Sequence, residues 1–279
     1  MIPVLHAFGK GIADTWEKSL IELWGNGIKI KTEYDKPQDP ESIDATMVMV
    51  SSDPLSEPRI HLSIPSTFKD LQKYKREVVD GVHDHWIDPK SGKWTYTYHQ
   101  RLFRYPTANG FVDQISYVID KLSEVSYTRR AQAITWDPAL DPSTDDPPCL
   151  QRIWLRCTEE GGVLTLNMNT HWRSRDAYKA AFMNMYALTE LQRVIAERLS
   201  SKIGKVVKVG QYVDISDSYH IYGSYIEDFK GRFLRALEQR EFYSDNIRRS
   251  RSLNSNHPLV RKEFVEADLE LEKEAQLSK

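Results

Sequence analysis

Cys149 stands where a loop meets an apolar alternation, in the run D-D-P-P-C-L-Q-R-I-W-L. The two prolines hold the backbone extended and forbid regular pairing upstream, which places the thiol at a rim that a ligand can reach. Such a thiol becomes a nucleophile where cations lower its pKa toward neutrality. Two arginine features can supply that charge: Arg129-Arg130, between a helix and a strand, and Arg173 in H-W-R-S-R-D, at the end of the strand after the cysteine strand. Guanidinium groups offer rigid forks of N–H donors suited to phosphate, and Ser174 adds a hydroxyl. Together they imply an anionic substrate, such as a nucleoside monophosphate, above a nucleophile. The competing use of a lone cysteine is as a small apolar filler, and Cys157 takes that role. On one straight strand the two sulfurs would be roughly 26 Å apart, against the Cα limit of about 7 Å for a disulfide, so they do not pair.

The elements that must position these groups follow from periodicity. Ile12, Trp16, Leu20 and Leu23 mark an amphipathic helix over about 10–24, and Met47–Val50 marks a strand. Leu71–Val79 reads as a short helix, followed by a polar stretch from His83 to Lys93. Trp94, Tyr96 and Tyr98 alternate with threonines, a strand signal. Asn109 is placed to cap a helix whose stripe is Phe111, Ile115, Val118, Ile119 and Leu122. Strands are expected over Ala131–Trp136, Cys149–Cys157, Val163–Trp172 and Val206–Ile215, and helices over about 177–200 and 224–240. A polar segment after about 244 ends in an acidic helix, Glu263–Glu274. Strands and helices mix without strict βαβ alternation, which predicts an α+β fold: a mixed or antiparallel sheet with packed helices. The expected division is 1–243 as a catalytic domain and 244–279 as a polar extension.

Composition narrows the classes. The chain has 279 residues, 40% apolar and 28% charged, with Lys+Arg 38 against Asp+Glu 40. A balance so close to neutral gives no global case for nucleic acid or anionic membrane. Two cysteines cannot form a disulfide framework, and no apolar run reaches a membrane span, so a cytoplasmic protein is expected. The absence of a glycine-rich phosphate loop argues against P-loop or Rossmann nucleotide binding.

Taken in order, the motifs resemble the thymidylate synthase family, which includes the deoxynucleotide hydroxymethylases. They are Tyr98 in Y-T-Y-H, Asp113-Gln114-Ile115, Arg129-Arg130, Pro148-Cys149, Arg173-Ser174-Arg175-Asp176, Asn184 eight residues on, and His220-Ile221-Tyr222, spread from about Tyr96 to Arg232. The phrasing E-P-R-I-H, Y-T-Y-H and P-P-C-L-Q is most similar to the archaeal-type branch. The resemblance implies that Cys149 attacks C6 of the pyrimidine while Arg173 and Ser174 bind the 5′-phosphate, Arg173 also keeping the thiolate ionised. Arg129 and Arg130 would reach the phosphate of the other subunit, which implies a homodimer with sheets stacked across its interface. Asp176 and Asn184 would hold the base, and His220 and Tyr222 the ribose 3′-hydroxyl. Tyr98 would assist removal of the C5 proton through ordered water, and Glu77 is the candidate general acid. The implied carbon donor is methylenetetrahydrofolate or a modified reduced pterin.

Departures from the family pattern gather on the donor side. Leu150 stands where bacterial members carry histidine, and His83-Asp84-His85-Trp86 keeps only Asp84 and Trp86 of the Trp-Asp-x-Trp folate wall. His83-x-His85 also invites a metal, but no further ligands are identifiable and none is expected. Asp44-Ala45-Thr46 occupies the place of an arginine-bearing phosphate loop, and the family's C-terminal lid segment has no match. Three functions stay open: methylation of deoxyuridylate, hydroxymethylation of deoxyuridylate or a cytosine nucleotide if water captures the shared intermediate, and non-catalytic nucleotide or RNA binding through Arg248–Arg251. Asn184 favours uracil, because an amide can donate to O4 and accept from N3–H.

Overall fold

A computed structural model describes residues 1–91 and 94–277. Lys93, at the end of the polar stretch, and residues 278 and 279 of the C-terminal extension lie outside the described residues. The frame is one mixed sheet. Its strands are β1 (Val4–Gly9), β2 (Ile28–Ile30), β3 (Ser42–Ser51), β7 (Gln132–Ile134), β8 (Leu150–Glu160), β9 (Val163–Trp172), β10 (Arg175–Asp176) and β11 (Val207–Ile221). The order across the sheet is β1-β3-β11-β9-β8-β7, with β2 pairing β3 and β10 pairing β11. β1 runs parallel to β3, and β9 and β10 parallel to β11; the remaining pairs are antiparallel. Along β3 and β9 every second side chain is buried, the period of a sheet with one face on the core. Ala45, Met47, Met49, Leu166, Met168 and Trp172 point inward, where α1 (Ile12–Asn26) and α5 (Ala181–Ile203) bring Trp16, Leu20, Leu23, Leu188 and Leu191. Short pairings lie off this sheet: β4 (Ile60–His61) with β12 (Ser252–Leu253), and β5 (Tyr105–Thr107) with β6 (Gly110–Val112).

The remaining helices are α2 (Phe68–Asp80), α3 (Tyr98–Phe103), α4 (Gln114–Glu124), α6 (Ile226–Phe229), α7 (Arg235–Gln239) and α8 (Pro258–Leu277). α2 starts in a capping box: Thr67 accepts from the Asp70 N–H while the Asp70 carboxylate accepts from the Thr67 N–H. Residues 244–277 lie against the body. Val260 and Ala267 of α8 are buried, and Arg251 donates to Glu17 of α1 at 2.8 and 2.9 Å. Among the described residues no helix is long and apolar enough to cross a membrane.

Four local expectations change. The Trp94–Tyr98 alternation is no strand, because the Thr97 hydroxyl accepts from the Gln100 N–H at 2.9 Å and starts α3 at Tyr98. A satisfied cap outweighs the β-propensity of Thr and Tyr. Ala108-Asn109 turns the β5–β6 hairpin and Gly110, at φ +121°, opens β6, so Asp113 caps α4 and Phe111 is exposed under the Arg104 guanidinium. β11 runs on to Ile221, six residues past the expected end. The expected 224–240 helix is broken into α6, a π-helical turn at Lys230–Leu234, and α7.

Candidate active site

Sheet register brings Cys149 to Arg173. Leu150 on β8 pairs with Trp172 on β9, so the residues just beyond the ladder, Cys149 and Arg173, face each other; the Arg173 N–H donates to the Cys149 carbonyl at 2.9 Å. The ladder shifts between Leu150 and Arg152, an irregularity of the kind that re-aims a side chain beside a site. The Arg173 guanidinium also grips the proline loop, Nη2 donating to the Pro147 carbonyl at 2.7 Å and Nε to that of Pro148 at 3.1 Å. Cys149 is half-buried. Burial pushes its thiol above the ordinary value; Arg173 and Arg175 pull it down, and Asp146 adds to the rise. The expected standing thiolate is therefore corrected: in this arrangement desolvation outweighs the guanidinium groups.

The other expected groups converge on the same end of the sheet. Parallel pairing sets Asp176 beside His220, and the Ala177 N–H donates to the His220 carbonyl at 2.8 Å. β11 slips against β3 between Ser216 and Tyr219, just before His220. His220 is buried and stays neutral, its pKa lowered to about 4 by desolvation; Nδ1 meets the Ser218 hydroxyl at 3.2 Å, and Nε2 has no hydrogen-bond partner among the described residues. The Tyr222 ring stands edge-on at 4.4 Å from the imidazole and at 6.1 Å from Tyr34, which comes from the 31–41 loop. Burial raises Asp176 to about 6, against the backbone N–H groups of Tyr178 and Lys179 that its carboxylate accepts at 3.0 and 2.7 Å. In the first turn of α5, Asn184 is 7% exposed. Its Oδ1 accepts from Arg175 Nε at 3.3 Å and its Nδ2 donates to the Tyr74 hydroxyl at 2.6 Å. Ser174 is half-buried between Arg173 and β10.

Two cavities open here. One of about 420 Å³ is lined by Arg173, Tyr34, Glu33, Thr144, Asp145 and Pro147. The other, about 750 Å³, is walled by Glu77, Trp94, Tyr96, Tyr98 and residues 143–146. The Tyr98 hydroxyl accepts the Leu150 N–H at 3.2 Å, one residue from the sulfur, and its pKa is raised by burial and then by Cys149. Glu77 Oε2 meets His83 Nδ1 at 2.8 Å, and His83 stacks on Trp86 at 3.8 Å. The two residues expected to contact the carbon donor lie off this cavity. Asp84 binds the Thr97 hydroxyl and His99 Nδ1, and Trp86 stands behind Trp94 at 5.0 Å. Gly81 makes the Asp84–His99 contact possible: its φ is +67°, and a Cβ there would lie 2.2 Å from His99 Nδ1.

Within this chain Arg129 and Arg130 are exposed at the β7 edge and line neither cavity. Sequence reasoning missed Tyr74, Arg175, Trp94 and Tyr96 as parts of the site. For Arg175 periodicity offered no signal: the buried positions of β9 are even-numbered, and 175 falls on the other phase.

The family model for thymidylate synthase matches residues 55–271. A candidate thymidylate synthase of Methanosarcina mazei is 31% identical over 213 residues, covering 76% of this chain and 87% of that protein. One of Methanopyrus kandleri is 30% identical over 192 residues, covering 68% and 82%. Among solved structures, thermostable thymidylate synthase A from Bacillus subtilis superposes with a TM-score of 0.61 at 19% identity, covering 84% of this chain and 86% of that one, which shows the shared fold. On the family match and these relatives, the chain belongs to the thymidylate synthase family.

Proposed function

We propose that this protein transfers a one-carbon unit from methylenetetrahydrofolate, or a related reduced pterin, to C5 of dUMP and yields dTMP. One observation carries the reading. In a member of this family, Cys149, Arg173, His220 and Tyr222, at the ends of three strands, and Asn184, in the first turn of a helix, lie at one end of the sheet beside a cavity with an aromatic wall. The Cys149 sulfur adds to C6, which makes C5 nucleophilic. The thiol must first ionise, and a bound phosphate would compete with the Pro147 and Pro148 carbonyls for Arg173. His220 Nε2, buried without a partner among the described residues, is a ready acceptor or donor for the ribose 3′-hydroxyl. Tyr98 assists departure of the C5 proton through water, and Glu77 serves as general acid.

The larger cavity suits a flat reduced pterin, because Trp94 and Tyr96 offer ring faces beside the Glu77 carboxylate. When bound, that group supplies the carbon and the hydride. A second copy fits the outer sheet face, where Val48, Val50, Trp154, Val213 and Ile215 are only half-covered; stacking there is the geometry in which Arg129 and Arg130 would serve the partner's phosphate. Light scattering tests this, with a monomer at micromolar concentration the adverse result. Two free cysteines fit a cytoplasmic setting.

The assay incubates the protein with dUMP and methylenetetrahydrofolate, follows dihydrofolate by absorbance and identifies the nucleotide by mass spectrometry. dTMP with stoichiometric dihydrofolate is expected. A hydroxymethyl nucleotide with unoxidised carrier reassigns the protein to hydroxymethylation, and no turnover with folate or other reduced pterins defeats the reading.

A further inference from the structure

Asn184 is held so that its amide cannot turn over. Arg175, 2% exposed, donates from Nε to Asn184 Oδ1 at 3.3 Å and from Nη2 to the Ala181 carbonyl at 2.8 Å. Its Nη1 faces the carboxylate of fully buried Asp214, which also accepts from the Tyr212 hydroxyl at 2.6 Å. The guanidinium lies 4.3 Å over the Trp172 ring, so it is held by the ring, by the ion pair with Asp214 and by two hydrogen bonds from Nε and Nη2. A guanidinium has donors and no acceptor, so only the oxygen of the amide can face it. On the other side, Asn184 Nδ2 donates to the buried Tyr74 hydroxyl at 2.6 Å. A turned amide would press its NH₂ against the guanidinium, donor against donor with no water between, which is the costly kind of unmade hydrogen bond.

With one lone pair and one N–H spent, the amide keeps one acceptor on Oδ1 and one donor on Nδ2, in a fixed order. The two pyrimidines present that edge in opposite order. Uracil has an acceptor at C4 and a donor at N3; cytosine has a donor at C4 and an acceptor at N3. An amide free to turn serves both bases, and a locked one serves a single base. We propose that Arg175, held by Asp214, is a positioning residue that sets base specificity: it locks Asn184 in the orientation that reads uracil and rejects cytosine. The inference rests on the dUMP reading above and adds to it the residue that enforces the choice of base.

Equilibrium binding of dUMP and of dCMP to the full chain, by titration calorimetry, separates the cases without any need for turnover. The wild type is expected to prefer dUMP by about 100-fold, the range a mismatched hydrogen-bonding edge commands. In Arg175→Gln/Asp214→Asn, which keeps the pocket polar and leaves no orphaned charge, position 175 can pair with either amide orientation. The preference should drop about tenfold, chiefly through tighter dCMP binding. Arg175→Lys keeps a donor-only side chain and should keep the preference. Tyr74→Phe leaves Arg175 in place, so dUMP binding should weaken by severalfold while the ratio stays. A ratio that holds in the folded double variant overturns the lock, as does one that collapses equally in Tyr74→Phe. If the double variant does not fold, Tyr74→Phe decides alone: a retained ratio supports the lock and a collapsed one defeats it. A wild type that binds neither nucleotide defeats the dUMP reading itself, a different result from an unchanged ratio.

Discussion

His220 and His83 are both buried histidines, and they are held in opposite ways. His220, at the end of β11, keeps Nε2 without a partner among the described residues and is neutral because burial lowers its pKa to about 4. His83 sits on the rim of the aromatic cavity with Nδ1 on Glu77 and its ring flat on Trp86. The contrast extends to their neighbours. Beside His220, Asp44 has a buried carboxylate oxygen with no well-formed hydrogen bond among the described residues, while its other oxygen takes the Ser218 hydroxyl at 2.8 Å. Beside His83, Asp84 has spent its oxygens on Thr97 and His99. Unspent buried polar atoms cost free energy in the empty state and are retained where a ligand completes them. Spent ones brace a wall. The His220 end thus keeps unspent polar atoms, and the His83 side is a scaffold with an aromatic face; on the proposed reading these are the nucleotide end and the donor side.

The largest effect should come from the sulfur. Cys149→Ser removes the polarisable nucleophile and should lower turnover by about 10⁴-fold or more while dUMP affinity stays within severalfold. Single-turnover kinetics with calorimetric binding checks both halves, and retained turnover would break the assignment of this end as the chemical one.

Next in size is a pH effect that reads the His220 end directly. His220 is neutral when folded down to about pH 4, whereas the unfolded chain takes up the proton near pH 6.5. Unfolding is therefore favoured by acid between those values, and stability rises with pH across that window, by about 3 kcal/mol at full extent. Asp176 acts in the opposite sense. Burial raises it to about 6, so the folded state holds its proton more tightly than the unfolded state, and stability falls as pH rises from about 4 to about 6. The two nearly cancel in the wild type. His220→Gln should unmask a decline in stability with rising pH, and Asp176→Asn a rise; urea unfolding at pH 4.5 and 7 measures both. Parallel pH profiles in the three proteins would show that these groups are not buried as described.

The two halves also differed in how far the sequence disclosed them. Cys149 and Arg173 stood out as candidates from their local chemistry, whereas Asp176, Asn184, His220 and Tyr222 entered only through the resemblance to the family. Their meeting was not legible, since it depends on register: Leu150 opposite Trp172, and Asp176 beside His220. The core strands and long helices were legible by period. The stretch from Trp94 to Leu122 was misread twice, each time because a cap or a turn overrode a periodic signal: Thr97 starting α3 inside a β-like alternation, and Ala108-Asn109 turning a hairpin where a helix cap was expected. Arg175 escaped notice because charge is read as surface, and only burial against Asp214 and Trp172 reveals its part.

On the donor side the expected effects are smaller and fall on different constants. Glu77→Gln keeps an acceptor for His83 and removes the acid, so kcat should fall about 100-fold with dUMP binding unchanged. A fall in protein stability of similar size, without a fall in kcat, would mean that Glu77 is part of the brace and not of the chemistry.

Trp94→Ala is the gentlest test and the most specific to the comparison. Trp94 is 41% exposed, lines the larger cavity and rests edge-on against Trp86 at 5.0 Å. Its removal therefore takes away a ring face that a flat reduced pterin would use while leaving the His83–Trp86 stack behind it. The Michaelis constant for the carbon donor should rise about tenfold, the value of one aromatic contact in a half-open cavity, with dUMP binding and thermal stability unmoved. Trp86→Ala should do the reverse, costing stability first through His83 and donor affinity only second. If both substitutions raise the donor's Michaelis constant equally and neither touches stability, Trp86 contacts the donor itself, and the distinction between an aromatic face and the brace behind it fails.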